Sequence, residues 1–152
     1  MATKKINFAY QALTLMSRLF YKKFGDDAIP IIRDVWYQMG LASGKILKKK
    51  LGEFDFRSAA DFLDNRNKQS SEFVVCQLSD ELYHFNTLPG SCCDLGLDDA
   101  GRPVCEAVMS INQGQFKSIC GFDVKMDIVK SRAAGDDCCE VKYCPVNVLK
   151  RE

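Results

Sequence analysis

At 152 residues, 47% hydrophobic and 27% charged, the chain is long enough for one hydrophobic core and too short for two, so a single domain over 1–152 is expected. Its 21 basic and 20 acidic residues leave a net charge of +1, without the one-sided excess of nucleic-acid binders, so nucleic acid is not an expected partner. The segment after Lys4-Lys5 is broken by Asn7, Gln11, Ser17 and Arg18; with neither a signal-peptide core nor a membrane span, a cytoplasmic protein with no membrane partner is expected.

The first region, 5–68, reads as helical. Over Ile6 to Phe24 the apolar residues Ile6, Tyr10, Leu13, Met16 and Phe20, with Leu19 beside them, recur on a helical period, and Gly25 ends the helix. Asp26 is a good N-cap for a second helix that tolerates Pro30 in its first turn and carries Ile29, Ile32, Trp36, Met39 and Leu47 at helical spacings. These two helices are expected to pack as a pair, with Trp36 in the core. Lys48-Lys49-Lys50 closes the second helix as solvated partners of its dipole. Asp55 caps a third, shorter helix with the stripe Phe56, Ala59, Ala60 and Leu63, which dissolves into a polar loop by Gln69.

The second region, 72–146, holds strand, loop, helix and hairpin. Glu72 to Leu78 is short and β-rich, a strand in which Cys76 shares a face with Val74 and Leu78. Leu82 to Phe85 reads either as its hairpin partner or as a helical turn capped by Ser79 or Asp80. Thr87 to Pro103 is the one long irregular stretch, the kind of loop on which sites sit. Val104 to Cys120 returns to helical spacing, and Gly114 either weakens that helix or marks a close approach. Last, Phe122, Val124, Met126 and Ile128 alternate with Asp123, Lys125 and Asp127, and a turn at Ala134 to Asp137 leads into Cys139, Val141 and Tyr143, which share a face. That is a β-hairpin with Cys139 facing in and Cys138 facing out, so Cys138 is expected to alkylate early and Cys139 slowly. Helices segregated from an antiparallel sheet make the fold α+β, with N-terminal helices packed on a sheet that ends in a C-terminal hairpin.

Eight cysteines are the anomaly of composition: Cys76, Cys92, Cys93, Cys105, Cys120, Cys138, Cys139 and Cys144. Without an export signal they read as reduced thiols rather than a disulfide framework. No C-x-x-C spacing supports zinc, and the plainest role for any one of them is that of a small buried hydrophobe.

The segments FGDDA with Trp36 and Gly40 following, FVVC, VCEA and above all KSRAAGDDCCEV together resemble the L-2-amino-thiazoline-4-carboxylic acid hydrolase family over nearly the whole chain. More distantly the chain is similar to the 4-vinyl reductase-type small-molecule-binding domain, which also ends in a Gly-Asp-x-x-Cys strand. The resemblance implies hydrolytic opening of a cyclic amidine, a 2-aminothiazoline carboxylate, toward an S-carbamoyl cysteine. It matches Cys76, Cys105 and Cys139 to cysteine positions of that family; the doubled Cys92-Cys93 and Cys138-Cys139, and Glu106 after Cys105, depart from it.

Two classes of function compete. In the enzyme reading a thiolate attacks the amidine carbon with a base and an orienting acid. Cys105 is the first candidate, with Cys93 behind it. His84, the only histidine, would be the base, and Asp94 or Glu106 the acid. A nucleophilic Cys105 requires a thiol pKa lowered by a nearby positive group or a helix N-terminus, and its place near the start of the Val104 to Cys120 helix offers the latter. In the binding reading, Cys76, Cys139 and Tyr83 line a pocket for a small-molecule ligand, or Cys92, Cys93, Cys138 and Cys139, with His84, hold zinc or another thiophilic metal. A blander role is a homodimeric subunit, which an apolar stripe left exposed on the first or second helix would favour.

Overall fold

A computed structural model describes residues 8–52, 54–68 and 73–146. Within them the chain runs α1 (Phe8–Phe24), a 3-10 turn (Gly25–Ala28), α2 (Ile29–Leu51), α3 (Phe56–Lys68), β1 (Phe73–Leu78), β2 (Tyr83–Thr87), α4 (Arg102–Cys120), β3 (Val124–Lys130), a second 3-10 turn (Arg132–Ala134) and β4 (Glu140–Pro145). The strands form one antiparallel sheet in the order β1-β2-β4-β3, so the α+β class and the closing β3–β4 pair are as expected. Ile6 and Glu72, assigned above to the first helix and first strand, lie outside the described residues.

The helical layer is built around α4, whose central contact is with α2 through glycine. A Cβ on Gly40 would collide with the Ile111 carbonyl, one on Gly114 would collide with the Tyr37 carbonyl, and one on Gly44 would sit 2.7 Å from Ser118 Cβ. Gly114 therefore marks a close approach, and the backbones of α2 and α4 meet with no side chain between them. Polar side chains stitch the seam. Ser118 Oγ donates to the Leu41 carbonyl at 2.8 Å, Ser110 Oγ to that of Arg33 at 2.9 Å, and Gln115 Nε2 to Ser43 Oγ at 2.9 Å.

The expected pairing of α1 with α2 is replaced by this α2–α4 contact, and α1 turns about Trp36 instead. Trp36 is fully buried, its indole lies 6.1 Å from the Tyr10 ring, and its Nε1 donates to Ser17 Oγ at 3.0 Å. A buried indole N–H needs an acceptor, and meeting that need with Ser17 fixes the rotation of α1. Thr14 and Ser17 face inward with Tyr10, Leu13 and Tyr21 half-buried around them, while Met16, Leu19 and Phe20, expected inside, point to solvent. In α3 the sequence pattern holds: Asp55 Oδ1 accepts from the Ser58 N–H at 2.7 Å, which holds the Asp55 carboxyl below its usual range, and Phe56, Ala59, Ala60 and Leu63 are all buried.

The segment at Leu82 to Phe85 resolves as a strand. Ser79 Oγ accepts from the Glu81 and Leu82 N–H groups in the β1–β2 turn, and β2 then pairs with both β1 and β4. A bulge between Val75 and Gln77 breaks simple alternation in β1. Phe73, Val75 and Leu78 consequently pack toward the core, while Val74 and Cys76 are exposed, so Cys76 and Leu78 do not share a face.

Because the α2–α4 seam has no room for a methyl group, Gly40→Ala and Gly114→Ala should each cost about 1–3 kcal/mol by overpacking. Urea unfolding measures this; an unchanged midpoint in both variants would show that the helices can separate without loss.

Candidate functional site

The inner face of the sheet is ordered in cross-strand rows. Leu78, Tyr83, Tyr143 and Met126 make one row, and Val75, Phe85, Val141 and Ile128 make the next. The C-terminal half of α4 packs on the tyrosine row: Asn112 Nδ2 donates to Tyr143 Oη at 2.9 Å and Phe116 lies 5.6 Å from the same ring. Tyr83 Oη donates to Asp64 Oδ1 at 2.8 Å. Above the second row the N-terminal half of α4 stands off, and a cavity of about 460 Å³ opens.

Its floor is Phe73, Phe85, Ile128 and Val141, its roof Cys105 and Met109, and its far wall the loop of Ser91 to Leu97. Thr87, Lys130, Ser131, Arg132 and Cys139 complete the rim. This volume is within the ordinary range for small-molecule sites, and the lining is mainly apolar. The loop is tied to the opposite rim by main-chain bonds: Gly90 N–H to the Asp137 carbonyl at 3.0 Å, Asp99 N–H to that of Arg132 at 3.2 Å, and Gly101 N–H to that of Ala133 at 2.8 Å. Arg132 adds the side-chain clamp, donating from Nε to Asp98 Oδ1 at 2.7 Å and from Nη1 to the Asp137 carbonyl at 2.8 Å. Burial pushes the Asp98 carboxyl up, but the Arg132 bond and the Cys93 N–H outweigh it and hold it below its usual range. Gly135, at φ 93°, makes the left-handed turn that carries the chain from this clamp toward β4.

The candidate residues divide sharply. Cys92, Cys93, Asp94, Cys105 and Cys139 all line the cavity. Cys76 is exposed, its thiol 2.7 Å from Asn86 Oδ1, and Tyr83 is buried in its bond to Asp64; neither reaches the cavity. His84 lies on the outer face of the sheet, with Nε2 2.8 Å from Glu140 Oε1, because it alternates with the inward Tyr83 and Phe85. The only histidine is thus separated from Cys105 by the sheet itself. Glu106 turns away to pair with Arg102 Nε at 3.1 Å. Cys138 is buried, 6% exposed, where an outward side chain was expected; β4 begins only at Glu140, so strand alternation does not extend back to it. Cys139 does face the cavity beside Val141. Among the described residues no group of three or more His, Cys, Asp or Glu side chains is arranged to hold a metal ion.

The thiols are electrically quiet. Burial pushes Cys105 up to about 11, against a smaller opposing hydrogen bond from Ser131, and burial likewise raises Cys93 and Cys139. The lowered pKa that a nucleophilic Cys105 requires is not found: its place near the start of α4 is outweighed by loss of solvent. Arg132, Ser131, Asp98 and Met109 escaped the sequence reading. Only Arg132 left a usable trace, as the cation inside the KSRAAGDD turn.

No family model and no curated protein matches the chain, so the hydrolase resemblance finds no support there. Solved structures do share the fold. The phenol-responsive sensory domain of the transcription activator PoxR, solved with phenol, superposes with a TM-score of 0.60 at 15% identity, over 90% of this chain and 74% of that one. A trafficking protein particle complex subunit 3 from Naegleria fowleri, covalently bound to palmitic acid, superposes with a TM-score of 0.65 at 12% identity, over 93% and 98%. No helix among the described residues is long and apolar enough to cross a membrane.

Cys105 should alkylate slowly at neutral pH, with a rate that rises about tenfold per pH unit until it levels near 11, well after the exposed Cys76 and Cys92 have reacted. Its folded pKa lies above the ~8.5 of a free thiol, so its contribution to stability is complete below that value and is lost as pH rises toward 11. Mass mapping of timed iodoacetamide reactions across pH reads the first effect. A Cys105 rate that levels below pH 8 would restore the activated thiol.

Proposed function

We propose that the chain is a small-molecule-binding module that takes an uncharged, largely apolar organic ligand, without forming a covalent bond, in the cavity between α4 and the sheet. The observation that carries this reading is the composition of the cavity: a floor of Phe73, Phe85, Ile128 and Val141 under a roof of Met109 and the protonated Cys105. Neutral thiols and a thioether are soft, polarisable surfaces that favour aromatic and aliphatic groups. Thr87, Ser91 and Ser131 supply a few polar contacts that would orient one hydroxyl or carbonyl. The two fold neighbours, one solved with phenol and the other covalently bound to palmitic acid, are in line with an organic occupant. Raised thiol pKa values at Cys93, Cys105 and Cys139 favour a non-covalent mode.

Opening a cyclic amidine would need a base at Cys105, and His84 is on the wrong side of the sheet to be one. Zinc would need thiols that converge, and Cys138 does not line the cavity with Cys92, Cys93 and Cys139.

A ligand held at a hundred times its dissociation constant stabilises its host by about 2.7 kcal/mol, which for a chain of this length raises Tm by roughly 5–10 °C. A thermal-shift and calorimetry panel of phenols, benzoate and medium-chain alcohols should show such shifts for the neutral members. Met109→Trp, which fills the roof, should abolish them while leaving the unliganded protein folded. Equal binding by Met109→Trp, or no response to any neutral compound, would overturn the assignment.

A further inference from the structure

The helix α1 is amphipathic in the wrong sense for a free surface. Its inner face carries Thr14 and Ser17 among the half-buried Tyr10, Leu13 and Tyr21, while Phe8 (76% exposed), Leu15, Met16 (65%), Leu19 (56%), Phe20 and Phe24 point outward. The rotation is not free to reverse, because Trp36 Nε1 donates to Ser17 and Arg18 Nη1 donates to the Gly96 carbonyl at 2.6 Å. At about 150–200 Å² for each fully exposed large apolar side chain, these six present on the order of 600 Å². That lies at the top of the roughly 300–600 Å² of the largest patch on an ordinary monomer and approaches the ~800 Å² share of one partner in a standard interface.

We infer that this face is a self-association surface, covered by α1 of a second copy of the chain running antiparallel about a two-fold axis near Met16. Three features fit that occupant. The self-complementary pairing places Phe8 of one copy near Phe24 of the other and gathers Leu15, Met16 and Leu19 around the axis. Residues 8–17 carry no charge, and Arg18, the one charge near the axis, is turned to the Gly96 carbonyl. The cations Lys22 and Lys23 occupy only the C-terminal end of α1. In a 17-residue helix an antiparallel mate sets the two Lys22-Lys23 pairs roughly 20 Å apart, beyond the ~8 Å screening length, whereas a parallel mate would stack them.

Sedimentation equilibrium of the full chain from about 1 to 100 µM, paired with hydrogen exchange at both ends of that range, tests this. Wild type should approach twice the chain mass, and amides over Phe8–Phe24 should slow as concentration rises. Met16→Glu and Leu19→Glu, each made alone at an exposed position, should weaken self-association by about 30-fold or more. Val74→Glu, an exposed apolar site on β1, should leave it intact. Cavity binding of the neutral panel should persist in the monomeric variants, so failure of this inference and failure of the ligand reading are separately visible. A wild type monomeric at 100 µM, a dimer indifferent to both substitutions, or concentration-dependent protection confined to the β1 edge would overturn the proposal. So would flotation of a monomeric wild type with anionic vesicles, which would give the face to a membrane surface. The exchange measurement needs no variant and decides the matter even where a substitution prevents folding.

Discussion

The rest of this structure depends on two helices touching backbone to backbone. Gly40 and Gly114 let α2 lie against α4 at a distance no side chain would permit, and the serines and glutamine along the seam satisfy polar groups that so close a contact would otherwise bury unpaired. That contact sets the position of α4 over the sheet, and with it the division of the sheet's inner face. Where α4 presents Asn112 and Phe116, the tyrosine row is packed solid. Where it presents Cys105 and Met109, a cavity is left between helix and sheet.

Much of this was legible in the residues, and the illegible part has physical causes. Period-two alternation named the inward side of β3 and the members Val141 and Tyr143 of β4, because a sheet with one wet face leaves no other option. The stripe Phe56, Ala59, Ala60 and Leu63 was equally unambiguous, with a capping aspartate before it. Alternation failed where the chain was not a regular strand, at Cys138 ahead of β4 and across the bulge beside Cys76. The rotation of α1 could not be found from its own period, since it was decided by one hydrogen bond from a residue in the next helix. Among the site candidates, the loop thiols and Cys105 do meet, whereas pairing His84 with Cys105 required knowing which face of β2 each would see. The clamp of Arg132 on Asp98 joins residues far apart in sequence, and nothing short of the fold brings them together.

Burial also changes what the cysteines can be. A thiol pushed toward pKa 11 is, near neutrality, a protonated group with a weak donor and a large polarisable sulfur, closer to methionine than to a catalytic nucleophile. Eight reduced cysteines in one chain then need not signify eight reactive centres. Cys105, Cys93 and Cys139 furnish a soft lining, Cys138 fills space, and the exposed Cys76 and Cys92 are the ones open to solution chemistry.

The bond from Arg18 to the Gly96 carbonyl deserves its place beside these, because it joins elements with different tasks. Gly96 sits between Leu95 and Leu97 in the wall of the cavity, and Arg18 rises from the helix whose other side is apolar and uncovered. Were the cavity and the outer face of α1 each to take a partner, this bond would be a physical link between the two, and any bias it passed one way would by the reciprocity of linkage be passed equally the other way.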